Sequence, residues 1–120
     1  MAENIIKVKS FSFALRVVKL YQFLNQEKRE YVISKQLLRS GTSVGTLVRE
    51  SEQAESKLDF IHKLAIAQKE ANDSDYWLEL LYQSEYLDET QFQSLKLDIV
   101  EINKILASII ITTKQKIGKK

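Results

Sequence analysis

No proline interrupts this chain of 120 residues, and glycine occurs only three times. Turns, bulges and tight hairpins draw on those two residue types, so a β-sandwich or an α/β fold would normally carry more of them. Long helices joined by few, short connections are what such a chain can form. Its length fits one domain, spanning 1–120. With hydrophobic residues at 44% and charged residues at 28% it has an ordinary globular mixture, unlike a disordered chain. Cysteine is absent, which removes disulfides, thiolate metal sites and a cysteine nucleophile together.

Four segments carry helical periodicity, at about 10–26, 32–53, 56–84 and 90–116. In the first, Ser10 reads as the N-cap, and Phe11, Ala14, Leu15, Val17, Val18, Tyr21 and Leu24 recur at steps of three and four. The second has Ile33, Leu37, Val44 and Val48 as its stripe. The third opens at Ser56, with Asp59 three residues on, and carries Leu58, Ile61, Leu64, Ala65, Ala71, Leu78 and Leu81. The fourth takes Thr90 as its cap and Phe92, Leu95, Ile99, Ile102, Ile105, Leu106, Ile109 and Thr113 as its stripe. Short connections make neighbours antiparallel, so the expected fold is an all-α, up-down four-helix bundle.

Two helices depart from the simple pattern. Ser40-Gly41-Thr42-Ser43-Val44-Gly45 puts two glycines inside the second helix, each costing about 1 kcal/mol relative to alanine. The apolar positions nevertheless stay in phase from Ile33 to Val48, and Gly41 and Gly45 share one face. A continuous helix with a close-packing face is therefore expected there, in preference to a loop. The fourth helix carries Leu97, Val100, Ile110 and Ile111 beyond its main stripe. A helix apolar on more than one side is usually buried on more than one side. Those four residues are the expected contact of a homo-oligomer.

Charge is unevenly distributed along the chain although the net value is only +2. Residues 1–49 hold nine Lys/Arg against three Asp/Glu; residues 50–101 hold four against thirteen; residues 102–120 hold five lysines and no acid. Such segregation suits binding to a polyanion, or pairing between subunits. Arg16, Lys19, Lys35, Arg39 and Arg49 are the candidate phosphate contacts, for RNA or DNA, chosen by charge and helix position. No uncharged run approaches the ~20 apolar residues that span a bilayer. Met1-Ala2-Glu3-Asn4-Ile5-Ile6-Lys7 lacks the apolar core of a signal peptide. A cytoplasmic protein without membrane contact is expected.

Catalytic signals are sparse. The single histidine, His62, follows Asp59 by three residues, which is half of what a di-metal bundle requires. The serine-glycine run lacks the Gly-Lys-Ser/Thr ending of a phosphate loop and follows no strand. Lys69 and Asp73, like Asp59 and Lys63, sit at the i,i+4 spacing of surface pairs. Tyr76-Trp77 suits packing or a subunit contact. The expectation is a protein with no catalytic residues, metal or cofactor; a small metal enzyme built on Asp59, His62 and Glu70 is the least favoured alternative.

Several linked motifs resemble one bacterial four-helix bundle family. They are Gln36-Leu37-Leu38-Arg39-Ser40-Gly41-Thr42-Ser43-Val44-Gly45 with Val48-Arg49-Glu50, and Ala54-Glu55-Ser56-Lys57-Leu58-Asp59-Phe60-Ile61-His62-Lys63-Leu64. Lys69-Glu70-Ala71-Asn72 and Asp75-Tyr76-Trp77-Leu78-Glu79-Leu80-Leu81 extend the match, which covers about residues 10–115. The chain is similar to the 23S rRNA intervening-sequence proteins, and to the accessory variability protein of diversity-generating retroelements. The resemblance implies an up-down bundle assembled as a barrel-like homopentamer. For the retroelement branch it also implies binding of nucleic acid and of a reverse transcriptase. Thr46-Leu47 stands where the family usually has Ala-Asn. Two functional expectations follow: a nucleic-acid-associated binding or scaffold module, or a purely structural protein–protein module.

Overall fold

The structure is a computed structural model that describes residues 2–118, so Lys119 and Lys120 of the basic tail lie outside the described residues. Helices α1 (Ala2–Glu27), α2 (Ile33–Ser51), α3 (Lys57–Gln83) and α4 (Glu89–Gly118) run up, down, up and down. Each packs on its sequence neighbours and α4 closes the ring on α1, while the diagonal pairs stay apart. The rod measures 54 × 22 × 20 Å. The tightest junction is α2–α3 and the sparsest is α1–α4.

Each helix start has a local cause. Ser56 caps α3 as expected, its hydroxyl accepting from the Asp59 N–H at 3.0 Å. At α4 the cap is Asp88, not Thr90. Its carboxylate accepts from the Gln91 N–H at 2.7 Å, and the Gln91 side chain accepts from the Asp88 N–H at 3.0 Å. This reciprocal capping box places the start one residue earlier. Val32 precedes α2 without a side-chain cap. Glu30 supplies one from outside: its buried carboxylate accepts from the N–H groups of Val32, Ile33 and Ser34 at 3.0, 2.9 and 2.7 Å. Burial raises the Glu30 pKa, but those hydrogen bonds outweigh it and hold the group below its ordinary value.

The largest departure is in α1. It begins at Ala2, and Ser10 is an interior residue, 1% exposed, its hydroxyl turned back to the Lys7 carbonyl. The buried line is Ile6, Phe13, Val17, Leu20 and Leu24, whereas Phe11, Leu15 and Val18 of the expected stripe face outward. The helix carries two apolar faces, and spacing alone does not say which one turns inward. Its partner α2 decides. A methyl group on Gly41 would lie 2.9 Å from Val17 Cγ2, so the missing side chain is what lets Val17 seat against the α2 backbone. Gly45 faces the Ser10 carbonyl, where a methyl would sit at 3.5 Å, an ordinary contact. The α2 helix is unbroken through both glycines.

The rest of the core follows the expected stripes closely. Leu37, Val44 and Val48 come from α2, and Leu64, Ala67, Ala71, Leu78 and Leu81 from α3. Leu58 and Ala65 of α3 face solvent, so Ala67 takes the place expected of Ala65. In α4 the line from Phe92 to Ile109 is buried apart from the half-buried Ile105. A Ser40–Ser74 hydroxyl pair at 2.9 Å sits within the α2–α3 junction, and Ser74 also donates to the Glu70 carbonyl. Two small hydroxyls satisfying each other are tolerated where larger polar groups would not be.

Candidate interaction surface

On a helix that turns 100° per residue, Val8, Phe11, Leu15 and Val18 fall on the side of α1 opposite its buried line. Their spacing of three, four and three is that of a helix–helix seam. They are 69%, 49%, 50% and 36% exposed, and Ile5 extends the patch toward the N-terminus. The Arg49 guanidinium lies over the Phe11 ring at 5.1 Å from its centre, bordering the patch from α2. Single exposed apolar residues are ordinary; a continuous line along three turns of one helix is not.

The expected contact on α4 is placed differently. Leu97 and Ile111 are exposed and Val100 is half-buried, but Ile110 is only 7% exposed and belongs to the core of its own protomer. Most α4 isoleucines are covered within one chain, so the larger uncovered apolar surface lies on α1. Tyr76 is exposed and meets Trp77 edge to face at 4.9 Å, while Trp77 packs against the core.

The five basic candidates do not converge. Arg16 reaches across to α4, bonding Asp98 at 2.6 Å and the Ser94 hydroxyl at 2.8 Å. Arg39 lies 3.5 Å from the largely buried Glu70 carboxylate at the α2–α3 junction. Lys19 and Lys35 are exposed, with no ion pair among the described residues, and Arg49 is engaged with Phe11. Ion pairs run between spatially adjacent helices all round the bundle. Lys7–Glu52, Lys63–Glu50, Lys96–Asp75 and Lys9–Glu101 stand at 3.2, 3.4, 2.6 and 3.0 Å. Much of the charge segregation along the chain is thus matched inside one protomer. Pairs this exposed contribute about 0–1 kcal/mol each, so they align helices more than they stabilise them.

His62 is exposed, and the Asp59 carboxylate accepts from the Glu55 N–H at the start of α3. Among the described residues no group of three His, Asp or Glu side chains is placed to hold a metal. A cleft of about 610 Å³ opens at the α1–α2 loop end, lined by Phe23, Lys28, Tyr82, Tyr86 and Asp88. Its Asp88 is committed to capping α4. No helix among the described residues is long and apolar enough to cross a membrane.

The motifs around the glycine face and the α3 cap now have their geometry, and comparison with known proteins agrees with it. The family model described as 23S rRNA-intervening sequence protein matches residues 2–108. The chain belongs to that family. A crystal structure of a protein of unknown function from the S23 ribosomal protein family of Bacteroides thetaiotaomicron is 56% identical, with a TM-score of 0.91. The alignment covers 92% of this chain and 98% of that one. No curated protein matches. The family's description names no enzymatic activity. Where the family usually has Ala-Asn, Thr46 bonds back to the Thr42 carbonyl and Leu47 packs against the core.

The outward α1 patch and the Glu30 cap are not among the features expected from the sequence. The first had a signal, since Val8, Phe11, Leu15 and Val18 are visible as a second line. The second had none, because Glu30 lies outside the usual cap position and acts through the loop's fold.

Proposed function

We propose that the protein is a non-catalytic interaction module of the 23S rRNA-intervening sequence family that works as a homo-oligomer. The observation that carries this reading is the apolar line Val8, Phe11, Leu15 and Val18 on the outer side of α1. Water disfavours leaving such a line uncovered, at roughly 25 cal/mol for each Å² of apolar surface. Light scattering on the purified protein at micromolar concentration tests it. A mass several times 13.9 kDa is expected; a monomer at that concentration counts against it.

A second reading, association with nucleic acid, draws on Lys19 and Lys35, which are exposed without carboxylate partners among the described residues. Arg16 and Arg39 support it less, because binding phosphate would require them to exchange a protein partner for it. Titration of RNA and DNA in a gel-shift assay separates the readings. Binding that weakens steeply with salt favours nucleic acid, and no binding at about 50 mM salt favours the purely structural module.

A further inference from the structure

The up-down path brings the loops that follow α1 and α3 to one end of the rod, and the cleft of about 610 Å³ opens there. Phe23, Tyr82 and Tyr86, all half-buried, give it aromatic walls, while the exposed Lys28, Glu85 and Asp88 line its rim. The Tyr82 ring is held flat by stacking on Phe92, 4.4 Å between centres and 4° from parallel. Lys28 lies across Phe23, its Nζ 6.0 Å from the ring centre. Asp88 is committed to the Gln91 N–H, but Lys28 and Glu85 have no ion pair among the described residues.

Glu85 also holds an unfavourable backbone. Its φ of 70° is left-handed, at the position that ends α3. There the Tyr86 N–H donates to the Leu81 carbonyl at 2.9 Å, and the Glu85 N–H to the Tyr82 carbonyl at 3.0 Å. Glycine or asparagine normally fills that position, because other side chains crowd the backbone. Arg29, with φ 54°, repeats the strain beside Lys28 in the other loop. Strain of this kind gathers at ligand-binding sites. Glycine at 85 would relieve it, and would remove the cleft's uncommitted carboxylate.

We propose that this cleft binds a free aromatic amino acid. The ligand's ring packs between the aromatic walls, its carboxylate pairs with Lys28 and its ammonium with Glu85. The volume falls in the range of about 300–1,000 Å³ typical of small-ligand sites. Burying the ring supplies affinity, and the two opposite charges fix its orientation. A residue inside a polypeptide carries neither charge, and the phosphate of a nucleotide would meet two carboxylates at the rim. The site shares no residue with the outer α1 line, so it stands or falls apart from the oligomer reading.

Calorimetric titration of the whole protein with L-phenylalanine, N-acetyl-L-phenylalanine and L-phenylalaninamide tests the proposal. Saturable binding of L-phenylalanine at about 1 mM or below is expected for a ligand of this size. Each capped form, having lost one charge, should bind about tenfold more weakly. Lys28→Gln should weaken L-phenylalanine about tenfold and leave the amide unchanged; Glu85→Gln should weaken it likewise and leave the N-acetyl form unchanged. Both residues are exposed, so both variants keep the fold. Glu85→Gly should lose affinity as Glu85→Gln does, yet melt about 4 °C above the wild type because the strain is gone. No saturation by about 10 mM overturns the site, as do variants that weaken all three ligands equally or none of them. A Glu85→Gly variant that melts no higher than the wild type overturns the assignment of Glu85.

Discussion

Helix α1 is held on its two sides by different physics. Toward α2, Val17 seats against the bare backbone at Gly41, and Ser10 lies against Gly45. Toward α4, the backbones approach less often and the ties are polar, with Arg16 bridging to Asp98 and Ser94 and Lys9 to Glu101. One side is fixed by shape, the other by charge near solvent. Shape is the costlier of the two to violate, because a close-packed interior has no slack.

Gly41→Ala should break the shaped side. The new methyl meets Val17, a stiff β-branched side chain with 0% exposure, so neither partner can turn aside. A loss of about 1–3 kcal/mol is expected from urea unfolding, even after the gain in helix propensity. Adding Val17→Ala should recover part of that loss, since the two clashing methyls are then gone. Additive losses in the double variant would show that the contact is not the cause.

Next in size is Glu30→Gln, which weakens the cap where the chain turns from α1 into α2. A loss of about 1–2 kcal/mol is expected at pH 7. The folded pKa lies below the ordinary one, so the carboxylate's contribution is fully present above the ordinary glutamate range. It fades as pH falls through the folded value. Unfolding curves for wild type and variant should therefore converge in acid and separate toward neutrality.

On the charged side, Arg16→Gln should cost less than about 1 kcal/mol, and the difference should shrink in high salt. A loss as large as that of Gly41→Ala would erase the distinction between the two sides of α1. Smallest of all is Gly45→Ala. Its methyl meets only ordinary contacts at 3.5 Å or beyond, so the variant should be neutral or more stable by up to about 1 kcal/mol. The opposite responses of two glycines four residues apart, measured as shifts in the unfolding midpoint, are the sharpest test of the glycine face.

Helices α2, α3 and α4 were legible because their signals are local or agree with one another. Ser56 with Asp59 announces a cap, and the α4 line from Phe92 to Ile109 leaves one dominant direction for the core. In α1 the signals compete. Phe11, Leu15 and Val18 have the spacing of a core stripe, but so do Phe13, Val17, Leu20 and Leu24. The candidate surface suffered from the same ambiguity. Ile110 reads as surplus on a helix wheel, yet the bundle buries it, and Arg16 reads as free charge, yet Asp98 holds it.

From the sequence alone came the number and all-helical kind of the elements among the described residues, the unbroken helix through Gly41 and Gly45, and the family. These depend on backbone preferences and residue spacing, which act over a few residues. Only the tertiary structure decided which side of α1 turns inward, which cations already have partners, and where apolar surface remains for another molecule. Burial and pairing are relations between distant segments, so no single helix carries enough information to determine them.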